Sequence, residues 1–287
     1  MTFKTYKLSE IANVQTGPFG SQLHKEDYVE DGIPIITVEH LGENKILHQN
    51  LPRVGEDDYN RLSKYHLQTD DIVFSRVGSV DRRALVSQNE NGWMFSGRCL
   101  RVRVTDPSVN PKYLSYIFGT HSFKEYIRSI AVGATMPSIN TKILSDIKVD
   151  IPSLDLQNRV VDILYKLDLK IWNNEELIKN LEHIAQTLFK HWFIAFEFPN
   201  EEGLPYKSSG GKLLESELGE IPDGWKTSKI GDEAKIIRGA SPRPIQDYMS
   251  DKGRPWVKIT DANASVSCFI TKTKEYIIDA GISKSRT

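Results

Sequence analysis

From Val160 to Trp192 apolar residues recur at alternating steps of four and three: Val160, Leu164, Leu167, Ile171, Asn174, Ile178, Leu181, Ala185, Leu188 and Trp192. A repeat of this kind marks a helix whose apolar edge is clasped by another helix. No Pro or Gly occurs from Ser153 to Phe198, so nothing in the backbone interrupts it. The spacing predicts one helix from about Leu156 to Phe193, about 57 Å long. The turns of that helix cannot bury their own apolar edge, so a second long helix is required, in this chain or another. Asn174 is the one polar position in the seam, a residue type that fixes register and partner choice at some cost in stability. Leu164, Leu167, Ile171, Asn174, Ile178, Leu181, Leu188 and Trp192 are therefore the expected partner-contacting side chains.

The residues before the helix read as a mixed α+β domain, 1–151. Ile33–Val38 and Ile72-Val73-Phe74 are short apolar runs. Leu100, Val102 and Val104 alternate with Arg101 and Arg103, and Ile147, Val149 and Ile151 with Lys148 and Asp150, which is strand period. Asn110-Pro111 opens one helix and a Ser122-x-x-Glu125 capping box a second. Strands and helices without regular β-α-β alternation give an α+β class. The long helix occupies 152–198, with Pro199 as its stop. A linker rich in Pro, Gly and Ser runs over 199–217.

A second unit, 218–287, repeats the first. Leu8–Gly17 aligns without gaps on Ile230–Gly239, and Asp27-Tyr28 on Asp247-Tyr248. Gly32-Ile33-Pro34-Ile35-Ile36 aligns on Gly253-Arg254-Pro255-Trp256-Val257, and Val38 on Ile259. The offset stays between 220 and 222 residues, which argues for a partial second copy. The copy reaches no counterpart of the strand at 72–74 or of anything after it.

Net charge is −1, with 37 Lys plus Arg against 38 Asp plus Glu, so the bulk balance does not announce nucleic acid. Locally the picture differs. Residues 76–103 hold Arg76, Arg82, Arg83, Arg98, Arg101 and Arg103 against Asp81 and Glu90 alone. The planar fork of arginine suits phosphates and guanine edges. No run approaches the ~18 apolar residues that cross a membrane, and the N-terminus lacks the apolar core of a signal peptide. Cys99 and Cys268 make neither a disulfide framework nor a zinc site. The expected location is the cytoplasm.

Catalytic constellations are missing. Gly219-x-x-x-x-Gly224 is followed by Trp225-Lys226, which fails the phosphate-loop pattern. Asp31, Glu43 and Lys45 fit a loose metal-nuclease spacing. His183 and His191 sit eight apart with no third ligand nearby.

Several stretches resemble the specificity subunit of type I restriction-modification systems, in the order that family shows them. They are Gly133-Ala134-Thr135-Met136-Pro137-Ser138-Ile139-Asn140, then Pro152-Ser153-Leu154-Asp155-Leu156-Gln157, then Leu188-Phe189-Lys190-His191-Trp192-Phe193. Pro205-Tyr206-Lys207 with Ser208-Ser209-Gly210-Gly211-Lys212 follows, and Leu218-Gly219-Glu220-Ile221-Pro222-Asp223-Gly224-Trp225 closes the series. Asp71-Ile72-Val73-Phe74-Ser75-Arg76-Val77-Gly78 fits as well. The amino-methyltransferase signature Pro-Pro-Tyr or Pro-Pro-Phe does not occur.

The resemblance implies two target-recognition domains separated by antiparallel spacer helices, here with the second domain truncated. Each domain reads half of a split site in double-stranded DNA. The helices dock DNA methyltransferase subunits, on which restriction subunits assemble. S-adenosylmethionine, ATP and Mg2+ belong to those partners, and no cofactor is expected in this chain. Candidate DNA contacts are Arg76, Ser79, Arg82 and Arg83 on one loop, Gly17, Phe19 and Ser21 on a second, and Thr135, Ser138 and Asn140 on a third. The main expectation is a non-catalytic DNA-reading subunit, with self-association through the long helix as a further possibility. The alternatives are a truncated regulatory or decoy subunit that binds methyltransferase without productive DNA recognition, and a nuclease built on Asp31, Glu43 and Lys45.

Overall fold

A computed structural model describes residues 3–18, 20–133, 135–265 and 269–285. The chain divides into two units, Met1–Lys170 and Ile171–Thr287.

In the first unit, β1 (Lys4–Lys7), α1 (Leu8–Ile11) and β2 (Ala12–Thr16) are followed by β3 (Tyr28–Val29), β4 (Ile33–Ile36), β5 (Arg53–Val54) and α2 (Glu56–Arg61). Then come β6 (Ile72–Ser75), β7 (Arg83–Leu85), β8 (Met94–Phe95) and β9 (Cys99–Val104). The helices α3 (Pro111–Gly119), α4 (His121–Ile130) and α5 (Thr141–Ser145), with β10 (Lys148–Ile151), lead into the long helix α6 (Leu154–Phe189). The fold is α+β. The central sheet has the order β2-β9-β6-β7, a second has β3-β5-β4-β8, and β1 pairs with β10.

The central sheet is covered on both faces because its strands alternate with period 2. Ile72 and Phe74 of β6, with Leu100 and Val102 of β9, turn towards Leu114, Phe118, Phe123 and Ile127 of α3 and α4. Val73 and Cys99 turn the other way, towards Ile35, Ile36, Met94 and Phe95. Phe74, Phe118 and Phe123 form an aromatic triad with centroids 4.7–6.4 Å apart. Each such side chain contributes ~1.5–3 kcal/mol by leaving water. Burial pushes the Cys99 thiol up to about 12, which keeps it protonated and unreactive. The expected strand at 100–104 forms, and its two arginines share one face. Arg103 there binds Asp71 through Nε and Nη2 at 2.7 and 2.6 Å.

Helix starts follow cap chemistry. Asn110 caps α3 by accepting from the Lys112 and Tyr113 amides, with Pro111 at the first position. The cap of α4 is Thr120, whose Oγ1 accepts from the Phe123 amide at 3.4 Å. This corrects the expected Ser122 box by two residues.

The helix α6 begins two residues before expectation. Gln157 is fully buried at its root. Its Nε2 donates to the Ser108 and Pro152 carbonyls at 3.0 and 2.9 Å, and its Oε1 accepts from the Asn110 amide at 2.8 Å. A buried amide with every polar group matched costs little, whereas the same amide unpaired costs ~1–3 kcal/mol. The Pro-x-Leu-x-x-Gln stretch is thus a clamp that fastens the helix to its own globule. Val161 is buried above it, so the first two turns of the helix pack on the globule that precedes them.

In the second unit α6 continues to Phe189 and closes in a π turn, Lys190–Ile194, five residues before Pro199. Phe196 then adopts φ 59°, and Trp225 gathers the rings of Phe193, Phe196 and Phe198 at 5.6–6.2 Å. These aromatics, not the proline, end the helix. The strands β11 (Leu213–Ser216) and β12 (Gly219–Pro222) form a hairpin across the boundary expected at 217/218. The remaining elements are α7 (Ile230–Glu233), β13 (Met249–Ser250), β14 (Arg254–Trp256), α8 (Ile259–Ala264), β15 (Glu275–Ile277) and α9 (Asp279–Ile282).

The internal repeat is visible in strand order and register. β13-β15-β14 reproduces β3-β5-β4, with both pairs antiparallel in each case. Pro34 pairs with Arg53, and its aligned Pro255 with Tyr276. A Cβ on Gly32 would meet the Val54 oxygen at 2.2 Å, and one on Gly253 the Ile277 oxygen at 2.6 Å. Both glycines are set by the same close approach of two backbones. The copies then diverge. Ala12–Thr16 is a strand paired with β9, whereas the aligned residues 234–238 are not in a strand. Leu8 is fully buried and its counterpart Ile230 is 74% exposed. A strand needs a neighbour to satisfy its backbone, and among the described residues 234–238 have none.

Candidate nucleic-acid interface

The four central strands define one end of their sheet. β2 ends there at Thr16 and β6 at Ser75, while β9 starts there at Cys99 and β7 at Arg83. Residues 17–18 and 20–22, 76–82 and 96–98 are the loops at that end. A fourth segment, 131–133 with 135–140, is stitched onto them. The Gly78 amide donates to the Pro137 oxygen at 2.8 Å and the Ile139 amide to the Arg76 oxygen at 2.9 Å. Ser138 bridges to both Val77 and Val132. The three loops singled out from the sequence are therefore brought together.

The named residues play unequal parts. Arg76 is half-buried, and its Nη1 donates to the Gly97 oxygen at 3.0 Å. Arg82 donates to the Leu41 oxygen. Ser79 is exposed in the turn between them, as is Thr135 on the stitched segment. Gly17 is buried, and a Cβ there would meet the Ser96 oxygen at 2.3 Å, so its small size serves packing. Asn140 caps α5, accepting from the Ile143 amide at 2.8 Å. Ser138 Oγ donates to the Val132 oxygen at 3.1 Å. Ser21 lies in a 3-10 turn, Gly20–Gln22. Phe19 lies outside the described residues.

Arg83 requires a correction. It is 3% exposed. Its Nε donates to the Ser115 oxygen at 2.7 Å and its Nη1 to Glu43 at 2.9 Å. A Cβ on Gly119 would lie 2.0 Å from its Nη2, so that glycine makes room for the guanidinium. Position in β7 turns Arg83 inward, away from solvent and from any phosphate. Its partner Glu43 also binds Lys124 at 3.0 Å. Burial alone would raise the Glu43 carboxyl, but Lys124 and Arg83 outweigh it and hold the group below its ordinary value. Glu43 is thus occupied by two cations. Among the described residues no group of three His, Cys, Asp or Glu side chains could hold a metal ion.

The sequence places Arg98 among six clustered arginines but does not single it out as a contact. Arg98 is exposed, and its guanidinium has no partner among the described residues, while its amide is held by Ser96 Oγ at 3.4 Å. The signal was its place beside Gly97, between two apolar strands. Val132 and Met136, both 63% exposed, were also missed. Exposed apolar tips on a pinned loop suit contact with a thymine methyl. Near them Asp81 binds Arg128 at 2.5 Å. Burial pushes the Asp81 carboxyl up, but that hydrogen bond holds it below the usual range, so it stays charged and Arg128 is partly neutralised.

Comparison with known proteins gives the family. The family model for the type I restriction modification DNA specificity domain matches residues 1–183. The chain belongs to that family. It is 33% identical to the MjaIX specificity subunit of a type I restriction enzyme from Methanocaldococcus jannaschii, over 53% of this chain and 33% of that one. It is 24% identical to the HindI specificity subunit of Haemophilus influenzae, over 97% of this chain and 70% of that one. A crystal structure of a type I restriction-modification S subunit from M. genitalium matches with a TM-score of 0.48 at 12% identity, covering 91% of this chain and 56% of that one. The chain therefore spans one third to about two thirds of the length of these relatives. No helix among the described residues is long and apolar enough to cross a membrane.

Proposed function

We propose that the chain is a non-catalytic DNA-reading subunit of a cytoplasmic type I restriction-modification complex. Residues 1–151 act as a target-recognition domain for one half of a bipartite site. Residues 152–198 are the spacer helix, 199–217 the linker and 218–287 the start of a second recognition domain. The observation that carries this reading is the convergence of four loops at one sheet end, with Arg98 and Ser79 exposed there, in a chain of the specificity-domain family. Arg76 and Arg82 support the loop backbones from within, so Arg98 becomes the principal phosphate or guanine contact. Ser79, Thr135, Val132 and Met136 form the rest of the reading surface. The exposed seam of α6 is the docking edge for methyltransferase, through which restriction subunits join, or for the helix of a second copy.

Arg98→Ala tests the surface. Duplex affinity should fall about tenfold near physiological salt, and the slope of log K against log salt should lessen by ~0.9, the share of one neutralised phosphate. The unfolding temperature should not move, because the guanidinium holds no partner among the described residues. An unchanged slope would remove Arg98 from the interface.

A further inference from the structure

The first turns of α6 are fixed to the globule at two levels. The inner level is Gln157, together with a hydrogen bond of 2.8 Å from Asn110 Nδ2 to Asn158 Oδ1. The outer level is eleven residues further on, about 16 Å along the axis. There the half-buried Asp168 Oδ2 accepts from Tyr116 Oη at 2.7 Å and from Asn44 Nδ2 at 3.2 Å. Asn44 is itself buried and held, since its Oδ1 accepts from Ser115 Oγ at 2.6 Å. It sits at φ 57°, a conformation Asn tolerates better than most residues. Burial and the bond to Asp168 both push the Tyr116 phenol up, so it remains a donor at any working pH.

Between the two levels Lys112 lies over the Tyr165 ring at 5.3 Å and pairs with Asp70 at 2.9 Å. Lys112, Ser115 and Tyr116 share one face of α3. The opposite face, Leu114 and Phe118, belongs to the core beneath the reading end of the sheet. Gln157, Val161, Tyr165 and Asp168 share one face of α6. The outer level is polar although it lies on an otherwise amphipathic helix. Polar bonds fix direction, where apolar contact alone tolerates sliding.

We propose that the Tyr116–Asp168–Asn44 bracket is a positioning device that sets the angle at which the spacer helix leaves the recognition domain, and so the gap an assembly accepts between half-sites. This rests on the DNA-reading function proposed above. Asp168 and Tyr116 touch no DNA in this scheme; they act through the helix.

The test uses the full chain with the exposed Gln49→Cys and Lys170→Cys, both within the first unit, as spin-label sites and Cys268→Ser; Cys99 is too buried to label. Pulsed electron-electron double resonance should give one narrow distance. Tyr116→Phe combined with Asp168→Ala should shift or broaden it by about 3 Å or more, since a tilt of about 10° about the Gln157 clamp acts on a lever of about 20 Å to residue 170. Asp168→Asn alone, which keeps an acceptor for Tyr116, should leave the peak narrow. An unaltered distribution in the double variant overturns the bracket. The same variants, assembled with methyltransferase, are then given duplexes carrying a range of half-site gaps. A relaxed or moved gap preference supports the inference, and an unchanged preference despite a shifted distance defeats it. If the unaltered chain selects no half-site at all, the reading function fails and the bracket is judged on its distance alone.

Discussion

Asp71→Ala should cost the first unit about 3 kcal/mol, at the lower edge of what breaking a buried ion pair costs, because Arg103 keeps about a quarter of its side chain in water. Asp71 is 1% exposed and takes three hydrogen bonds, two from Arg103 and one at 2.7 Å from the Gln68 amide. It is also the nearest counter-charge to Arg101, which is buried and held otherwise by the Lys64 and His66 oxygens at 3.3 Å. Burial first, and then Arg103, already lower the Arg101 guanidinium from its ordinary value. Without Asp71 two guanidinia remain in one half-dry site. For a unit of this size the unfolding temperature should drop by about 10 °C, read by circular dichroism. Adding Arg103→Ala should give a loss smaller than the sum of the two single losses. A midpoint that stays within about 2 °C of the unaltered protein contradicts this reading of the sheet face.

The second large effect concerns the helix edge. Ile171 and Ile178 are 53% and 57% exposed, and Leu167, Leu181 and Leu188 are exposed with them. Ile163, Leu177 and Ile184 widen the stripe on one flank. Burying such a side chain contributes ~1.5–3 kcal/mol each. Ile171→Glu with Ile178→Glu should therefore weaken whatever the helix clasps by at least about 100-fold, or ~2.7 kcal/mol. The readouts are titration with methyltransferase and light scattering of the chain alone. Thermal unfolding of the first unit should be unaffected, since both positions lie beyond Lys170. Undiminished association would mean the seam is not the docking edge.

What the sequence could reveal tracks the range of the forces involved. The long helix was legible because its period is local and uninterrupted. Its ends were less so, because the start depends on the Gln157 clamp to Ser108 and Asn110, and the finish on Trp225, more than thirty residues from Phe193. The repeat was legible through glycines that one close backbone approach dictates twice. Among site residues, three loops could be singled out one by one, but neither their meeting nor the fate of single side chains could. Arg82 and Arg83 are neighbours in sequence, yet strand alternation turns Arg83 into a space that Gly119 leaves open. Asn140 stands before a helix, where Asn caps, and its side-chain oxygen takes the Ile143 amide there. Arg98 was noted among six arginines, and only the internal partners of the others single it out.

The central claim is that residues 1–151 read a defined DNA word, and selection from random-sequence duplexes by the chain assembled with methyltransferase tests it most directly. The account predicts that one half-site word is enriched over successive rounds, and that Arg98→Ala weakens that enrichment. Salt-sensitive binding in which no word rises above the starting pool would contradict it.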